Sequence, residues 1–342
     1  MKVLVVAPSW IGDTIMMQSL LSLLKLGDRS VHITVLAPDW SAPLLHRMSE
    51  VDAVVSNPFP HGTLDLRARR ALGRRLASAN YQRAYVLPNS WKSALVPYFA
   101  GIPERIGYQG EARFLLLNKR HQLDEKVFPR LVDRYAALAG FAVDEPTPLP
   151  ALRSSEQQQA GVREVLGLPP VSRSRRSLIF CPGAEFGPAK RWPARHFAEL
   201  ARQLCSGNDD EILILGSAKD AAVADEIVNL TGSIVHSLCG RTSLEQAIDL
   251  IAGSQLVVSN DSGLMHVAAA LNRPLLALYG SSSPAYTPPL SPRAKVLSRH
   301  LSCSPCFKRE CPLGHFDCLN GLLPKEVELA AQTMIGIPKS LH

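Results

Sequence analysis

The sequence predicts an α/β protein built on parallel sheets and divided into two domains, and three observations lead there. Short apolar runs of strand length alternate with longer segments of helical spacing along most of the chain, which is how successive βαβ units read. The alternation stops at a proline-rich stretch, DEPTPLP at 144–150, and resumes after the polar segment 169–177, PPVSRSRRS, as it does at a domain break. With 342 residues and 46% hydrophobic content, the chain can also bury two cores rather than one. These breaks predict a first domain over 1–150, a linker with a connecting helix over 151–176, a second domain over 177–322, and a terminal helical segment over 323–342.

The first domain opens with the apolar run KVLVVA, a strand over 2–7, then the turn Pro8-Ser9-Trp10-Ile11-Gly12-Asp13 and a helix over about 14–26. Asp13 stands where an N-cap belongs. It is equally a carboxylate at the mouth of a sheet, a place from which a general base works. That turn holds one glycine and no G-x-G-x-x-G, so a hydride-transferring dinucleotide enzyme lacks its sequence support. Strands follow over 32–37, 53–55, 84–87 and 105–108, with helices after Pro38 and over 64–79, 90–100 and 131–140. Arg67, Arg69, Arg70, Arg74 and Arg75 share one helix, an anion-binding face or ordinary solvated surface, read as surface for most of them. Lys92 begins a helix directly after a strand, where the dipole disfavours a cation unless it meets an anion.

In the second half, 154–167 is helical and the strand 178–181 runs into PGAEFGPAKRWP, a long glycine-bearing loop ahead of a proline-started helix. Backbone donors, Lys190-Arg191 and a helix N-terminus suit such a loop to a diphosphate. It does not fit G-x-x-x-x-G-K-[ST], because Pro188 and Ala189 occupy the required Gly and Lys positions. The strand 212–215 with GSAKD at 216–220 and a helix over 244–252 follow. Then comes one complete βαβ step, a strand at 256–258, the turn Asn260-Asp261-Ser262-Gly263, a helix over 264–271 and a strand over 275–278. Asp261 and Ser262 are N-cap types, Gly263 admits a ligand to the backbone, and His266 lies one helical turn beyond Ser262. In open parallel sheets this edge is where ligands bind.

Composition narrows the partners. Net charge is +7, and most of the surplus falls in residues 1–150, with 18 basic against 13 acidic side chains. That suits an anionic macromolecular or lipid partner, while the modest excess and 6% aromatic content argue against a nucleic-acid platform. No apolar run approaches the roughly 18 residues of a membrane span, and the N-terminal run is too short for a signal peptide, so a cytoplasmic protein is expected. Of seven cysteines, Cys181, Cys205 and Cys239 lie in or beside apolar segments as reduced core thiols do. Cys303, Cys306, Cys311 and Cys318, spaced C-x2-C-x4-C-x6-C near His300 and His315, match neither a paired C-x-x-C zinc pattern nor a ferredoxin run. A compact structural loop of reduced thiols is read there, with a metal site as the alternative.

VLVVAPSWIGDTIMMQSLL at 3–21, NSWKSA at 89–94, PGAEFGPAKRWP at 182–193, SNDSGLMHVAAALNRPLLALYGSSSP at 259–284 and CSPCFKRECPLGHFDCL at 303–319 together resemble the heptosyltransferases of lipopolysaccharide core assembly. The likeness runs nearly end to end. It implies the GT-B fold, two Rossmann-like doubly wound domains facing across a cleft, the first for the acceptor and the second for the nucleotide sugar, with the closing helix at about 325–334 packing back on the first. It implies transfer of L-glycero-D-manno-heptose from ADP-heptose onto the first heptose of heptosyl-Kdo2-lipid A, with inversion and without metal or cofactor. Asp13 is then the general base, Lys190 meets the diphosphate, and Asp261, Ser262, Gly263 and His266 match the segment around phosphates and heptose. Lys92 corresponds to a lysine for acceptor phosphate, and Arg67 and Arg70 are weaker matches for that role. The implied partners are ADP-heptose, a lipid A-core acceptor and, peripherally, the cytoplasmic face of the inner membrane, with no nucleic acid. A neighbouring heptosyltransferase of the same core, or a non-catalytic nucleotide-sugar-binding module, are the alternatives. Asp13 and Lys190 together argue against the module, since binding alone needs no base.

Overall fold

The computed structural model describes residues 1–60, 62–142, 146–172, 175–205 and 210–336. Residues 144–145 of the proline-rich break, 173–174 of the polar hinge and 337–342 of the terminal segment lie outside the described residues. The chain divides into two compact units, one from Met1 to Leu152 and one from Arg153 onward.

In the first unit, β1 (Lys2–Val6), β2 (His32–Ala37), β3 (Ala53–Ser56), β4 (Arg83–Val86), β5 (Glu104–Tyr108) and β6 (Lys119–His121) form one sheet in the order β3-β2-β1-β4-β5-β6. Every pairing is parallel, with Val3 opposite both Ile33 and Arg83. Val3 to Val6 are buried because helices cover both faces of such a sheet, which explains why β1 reads as a continuous apolar run rather than an alternating one. One face packs on Leu72, Leu76, Leu95 and Val96 from the following helices.

The second unit repeats the plan. β7 (Ser177–Cys181), β8 (Glu211–Ile214), β9 (Val235–Ser237), β10 (Leu256–Asn260), β11 (Leu275–Tyr279) and β12 (Ala294–Ser298) are ordered β12-β11-β10-β7-β8-β9, again all parallel. Numbered within its own unit, each sheet runs 3-2-1-4-5-6, the doubly wound Rossmann order. The direction of winding reverses between β1 and β4 in one unit and between β7 and β10 in the other. Beyond the strand ends at such a reversal the flanking loops diverge and leave a crevice.

Several elements differ from the sequence reading. The strands β6, β9 and β12 carry no apolar pattern that announces them, being sheet-edge strands with largely exposed or half-buried side chains. The helix expected over 14–26 is two, Ile11–Met16 and Gln18–Gly27, and it begins at Ile11 with Trp10 as N-cap. Asp13 therefore lies within the first turn and is not the cap. The segment 90–100 starts as a 3-10 turn, Trp91–Ala94, before the helix Leu95–Phe99.

The closing helix, Pro324–Ile335, packs on the helix Ala194–Leu204 within the second unit. Val327, Ala330 and Ala331, spaced i, i+3, i+4, join the core of Phe197, Ala198 and Ala201, so its apolar stripe is used there. The buried Trp192 indole N–H donates to Leu322 O at 2.8 Å and ties the chain down just before the helix begins. Among the described residues no helix is long and apolar enough to cross a membrane.

Candidate functional site

At the reversal in the second sheet, β10 is buried along its length and ends in Asn260. Its side chain holds both ends of the loop after β7, accepting from Trp192 N–H at 3.0 Å and donating to Pro182 O at 2.7 Å. The sequence reading placed Asn260 in the turn; the structure makes it the clamp that fixes the 182–192 loop beside the next helix. Ser262 is the N-cap of that helix, Gly263–Ala270, and its hydroxyl accepts from Met265 N–H at 3.4 Å.

Asp261 is not a cap. Its carboxylate pairs with the Lys190 ammonium at 2.5 Å, the two side chains being 5% and 18% exposed. Lys190 comes from the 3-10 turn Pro188–Lys190, with its ammonium 5.2 Å from the centroid of Phe186. The lysine charge is thus tied to the residue just before the N-cap of a helix, and helix N-termini favour phosphate.

The loop can lie this close only because of its glycines. A Cβ on Gly183 would sit 2.4 Å from the Asp220 carboxylate, and one on Gly187, whose φ is +152, would sit 2.5 Å from Arg309 O. Asp220 is itself fixed by Ser217, whose N–H and hydroxyl each donate to it at 2.9 Å. Asp220, Phe186 and Arg309 all escaped the sequence reading, since none belongs to a pattern distinguishable from ordinary loop chemistry.

His266 is buried beside this pair. Burial pushes its imidazole from the ordinary 6.5 down to about 4, against the pull of Asp261 and with the help of Lys190. The ring is therefore neutral at physiological pH, with one nitrogen donor and one acceptor. In the unfolded chain it takes up a proton near pH 6.5 that the folded chain refuses until about pH 4. Stability therefore falls as pH drops through that window, by on the order of 3 kcal/mol, and levels off below it. A His266→Gln variant should lose that share of the slope when unfolding midpoints are compared from pH 7 to 4; an unchanged slope would refute the assignment. Buried Cys181 and Cys239 are pushed the other way, upward, chiefly by loss of solvation, Cys239 to about 12, as inert thiols are.

The reversal in the first sheet carries Asp13 and Lys92. Asp13 is half-buried in the first turn of Ile11–Met16, just past the end of β1. Lys92 is half-buried in the turn that follows β4. That turn is braced from below by the buried Arg113, which donates to Pro88 O at 2.6 Å and to Asn89 Oδ1 at 3.0 Å. Glu111 accepts from Trp91 N–H at 2.7 Å. In the arginine-rich helix, Leu66–Ala77, Arg67 and Arg70 are exposed on one side. Arg69, grouped with them by sequence, is instead buried: it stacks 4.0 Å over Phe59 and donates to Thr63 O at 3.0 Å and Lys92 O at 3.2 Å. It joins the arginine helix to the Lys92 turn.

Residues 69–317 match the model of glycosyltransferase family 9 (heptosyltransferase), well over half of the chain. The chain belongs to this family. The family 9 match includes Lys92, Lys190, Asp261, Ser262, Gly263 and His266. The chain is 46% identical over 339 residues to lipopolysaccharide heptosyltransferase 2 of Escherichia coli K12, with 96% of each chain covered. It is 44% identical over 308 residues to lipooligosaccharide heptosyltransferase 2 of Haemophilus influenzae, covering 87% of this chain and 88% of that one. The solved structure of the E. coli ADP-heptose LPS heptosyltransferase II superposes with a TM-score of 0.86 at 43% identity, over 98% of both chains. Two Rossmann-like units of the GT-B class are thus what family 9 and this chain share.

Proposed function

We propose that this family 9 enzyme transfers L-glycero-D-manno-heptose from ADP-heptose to the first heptose of heptosyl-Kdo2-lipid A, inverting the anomeric centre. The observation that carries the reading is the Lys190–Asp261 pair at the start of the helix Gly263–Ala270. Glycosyl transfer from a nucleotide sugar needs positive charge where the diphosphate departs. Fixed N–H groups and one positioned ammonium supply it without reorganisation. Ser262 and Gly263 present their backbone to the phosphates, Asp261 accepts from heptose hydroxyls, and the neutral His266 supports that contact. Asp13 removes the proton from the attacking acceptor hydroxyl, a poor nucleophile until deprotonated. Lys92, with Arg67 and Arg70 on the neighbouring helix, meets acceptor phosphate.

The choice of the second heptose rests on what the relatives are called, not on the geometry. The deciding experiment offers ADP-heptose with Kdo2-lipid A bearing or lacking its first heptose, without added divalent cation, and follows acceptor mass. Addition only to the heptosylated acceptor is expected. Addition to the bare acceptor would make this the preceding enzyme of the series, and no addition to either would overturn the reading.

The acceptor is a lipid, and the basic surplus of residues 1–150 with the exposed Arg67 and Arg70 supports peripheral attachment to the anionic cytoplasmic face of the inner membrane. Binding to anionic vesicles should then fall steeply between low and high salt. Undiminished binding at high salt would mean an apolar attachment instead.

A further inference from the structure

Residues 299–316 form neither helix nor strand, and the large apolar side chains Phe307 and Leu313 are 53% and 61% exposed. A stretch of this length needs some internal tie to keep one conformation. What it encloses is sulfur. Cys303, Cys306, Cys311 and Cys318 line a single cavity of about 20 Å³ together with Ser281 and His315.

The cavity also carries an unpaired donor: the hydroxyl of Ser281, 1% exposed, finds no partner among the described residues. A neutral thiol accepts hydrogen bonds weakly, whereas a thiolate accepts them well and is the form that binds metal. Were all four to ionise in so small a space, they would require a cation among them. The volume takes one ion-sized sphere.

We infer that Cys303, Cys306, Cys311 and Cys318 form a tetrathiolate site for one soft divalent cation of the zinc type. Thiolate sulfur selects such ions, and a closed set of four is structural rather than catalytic. Among the described residues no three His, Cys, Asp or Glu side chains already surround a common metal position. Closing the set takes rotation about χ1, the one side-chain torsion each cysteine has before its sulfur, inside a cavity that all four already bound. The spacing alone did not make the case, because it is the fold that brings Cys318, at the start of the helix Asp317–Asn320, to the other three.

The ion has a task beyond the loop itself. Arg309, between the second and third cysteines, accepts from Ala189 N–H at 3.0 Å and donates from Nε to Phe186 O at 2.8 Å. Phe307 N–H donates to Ser281 O at 2.7 Å. The cysteine loop is therefore the backing of the Phe186–Lys190 segment, so the bound ion positions Lys190 from behind. The metal count does not depend on what the enzyme transfers; only this positioning effect rests on the reading of Lys190 as the diphosphate lysine.

Protein purified under reducing conditions without chelator should contain about one zinc or iron ion per chain by elemental analysis. Metal-depleted protein given Co2+ should show the intense visible d–d bands of tetrahedral cobalt thiolate. A Cys306→Ser/Cys311→Ser double variant should fall below about a tenth of the wild-type metal content, while Cys205→Ser keeps it. Should the double variant fail to fold, titrating the wild type with an organomercurial decides the matter, since metal must leave in step with modification of these thiols. Absence of stoichiometric metal together with a blank Co2+ spectrum overturns the inference, as does finding the four cysteines as two disulfides.

Discussion

Replacing Asp13 with alanine is expected to lower kcat for heptose transfer by roughly 10²–10⁴-fold, the usual worth of a general base, while KM for ADP-heptose changes little. The carboxylate acts on the acceptor proton and does not hold the donor, so its loss falls on the chemical step. Its place in the first turn of Ile11–Met16 offers a competing account, in which it merely complements the helix dipole. That account predicts a stability loss of about 0.3–1 kcal/mol with turnover intact. Asp13→Asn separates the two, since it keeps shape and hydrogen bonding but removes the basicity. Initial rates for the asparagine variant near wild type would end the base assignment; rates as low as the alanine variant's would establish it.

Lys190→Ala should lower kcat/KM for ADP-heptose by about 10²–10³-fold, as removal of one preorganised charge contact to a developing anion does. It should also destabilise the fold. Asp261 is nearly buried, and a buried carboxylate stripped of its partner typically costs about 3–5 kcal/mol. Pairing the change with Asp261→Asn separates these effects. The double variant, free of the stranded charge, should recover much of the lost unfolding temperature without recovering transfer. Recovery of transfer along with stability would show that Lys190 matters only as the partner of Asp261. Normal ADP-heptose KM and kcat in Lys190→Ala would remove the diphosphate role altogether.

The inner strands of both sheets were legible because burial on two faces forces unbroken apolar runs, as in Val3–Val6 and Leu256–Val258. The edge strands β6, β9 and β12 were not, because a strand with one neighbour and a wet face has no such requirement. The packing of the closing helix on Ala194–Leu204 was not legible either, for a different reason. A stripe of Val327, Ala330 and Ala331 says that one face is covered and nothing about which core covers it. In the site, Lys190, Asp261, Ser262, Gly263 and His266 could be picked out because they cluster at strand ends in a recognisable stretch. Their division of labour could not. Whether Asp261 caps a helix or pairs with Lys190, and whether Arg69 faces solvent or supports the Lys92 turn, depends on neighbours distant along the chain. The four clustered cysteines are the same case, four letters whose proximity only the fold supplies.

The identical winding of the two sheets bears on how such an enzyme can change over generations. The groups proposed for the departing nucleotide are encoded after residue 180, and those proposed for the incoming alcohol before residue 93. Mutation or recombination in the earlier stretch can therefore try new alcohols without disturbing the leaving group's cradle. A lineage of enzymes that extend one saccharide stepwise with a single activated sugar could diversify by varying one half of its gene while keeping the other.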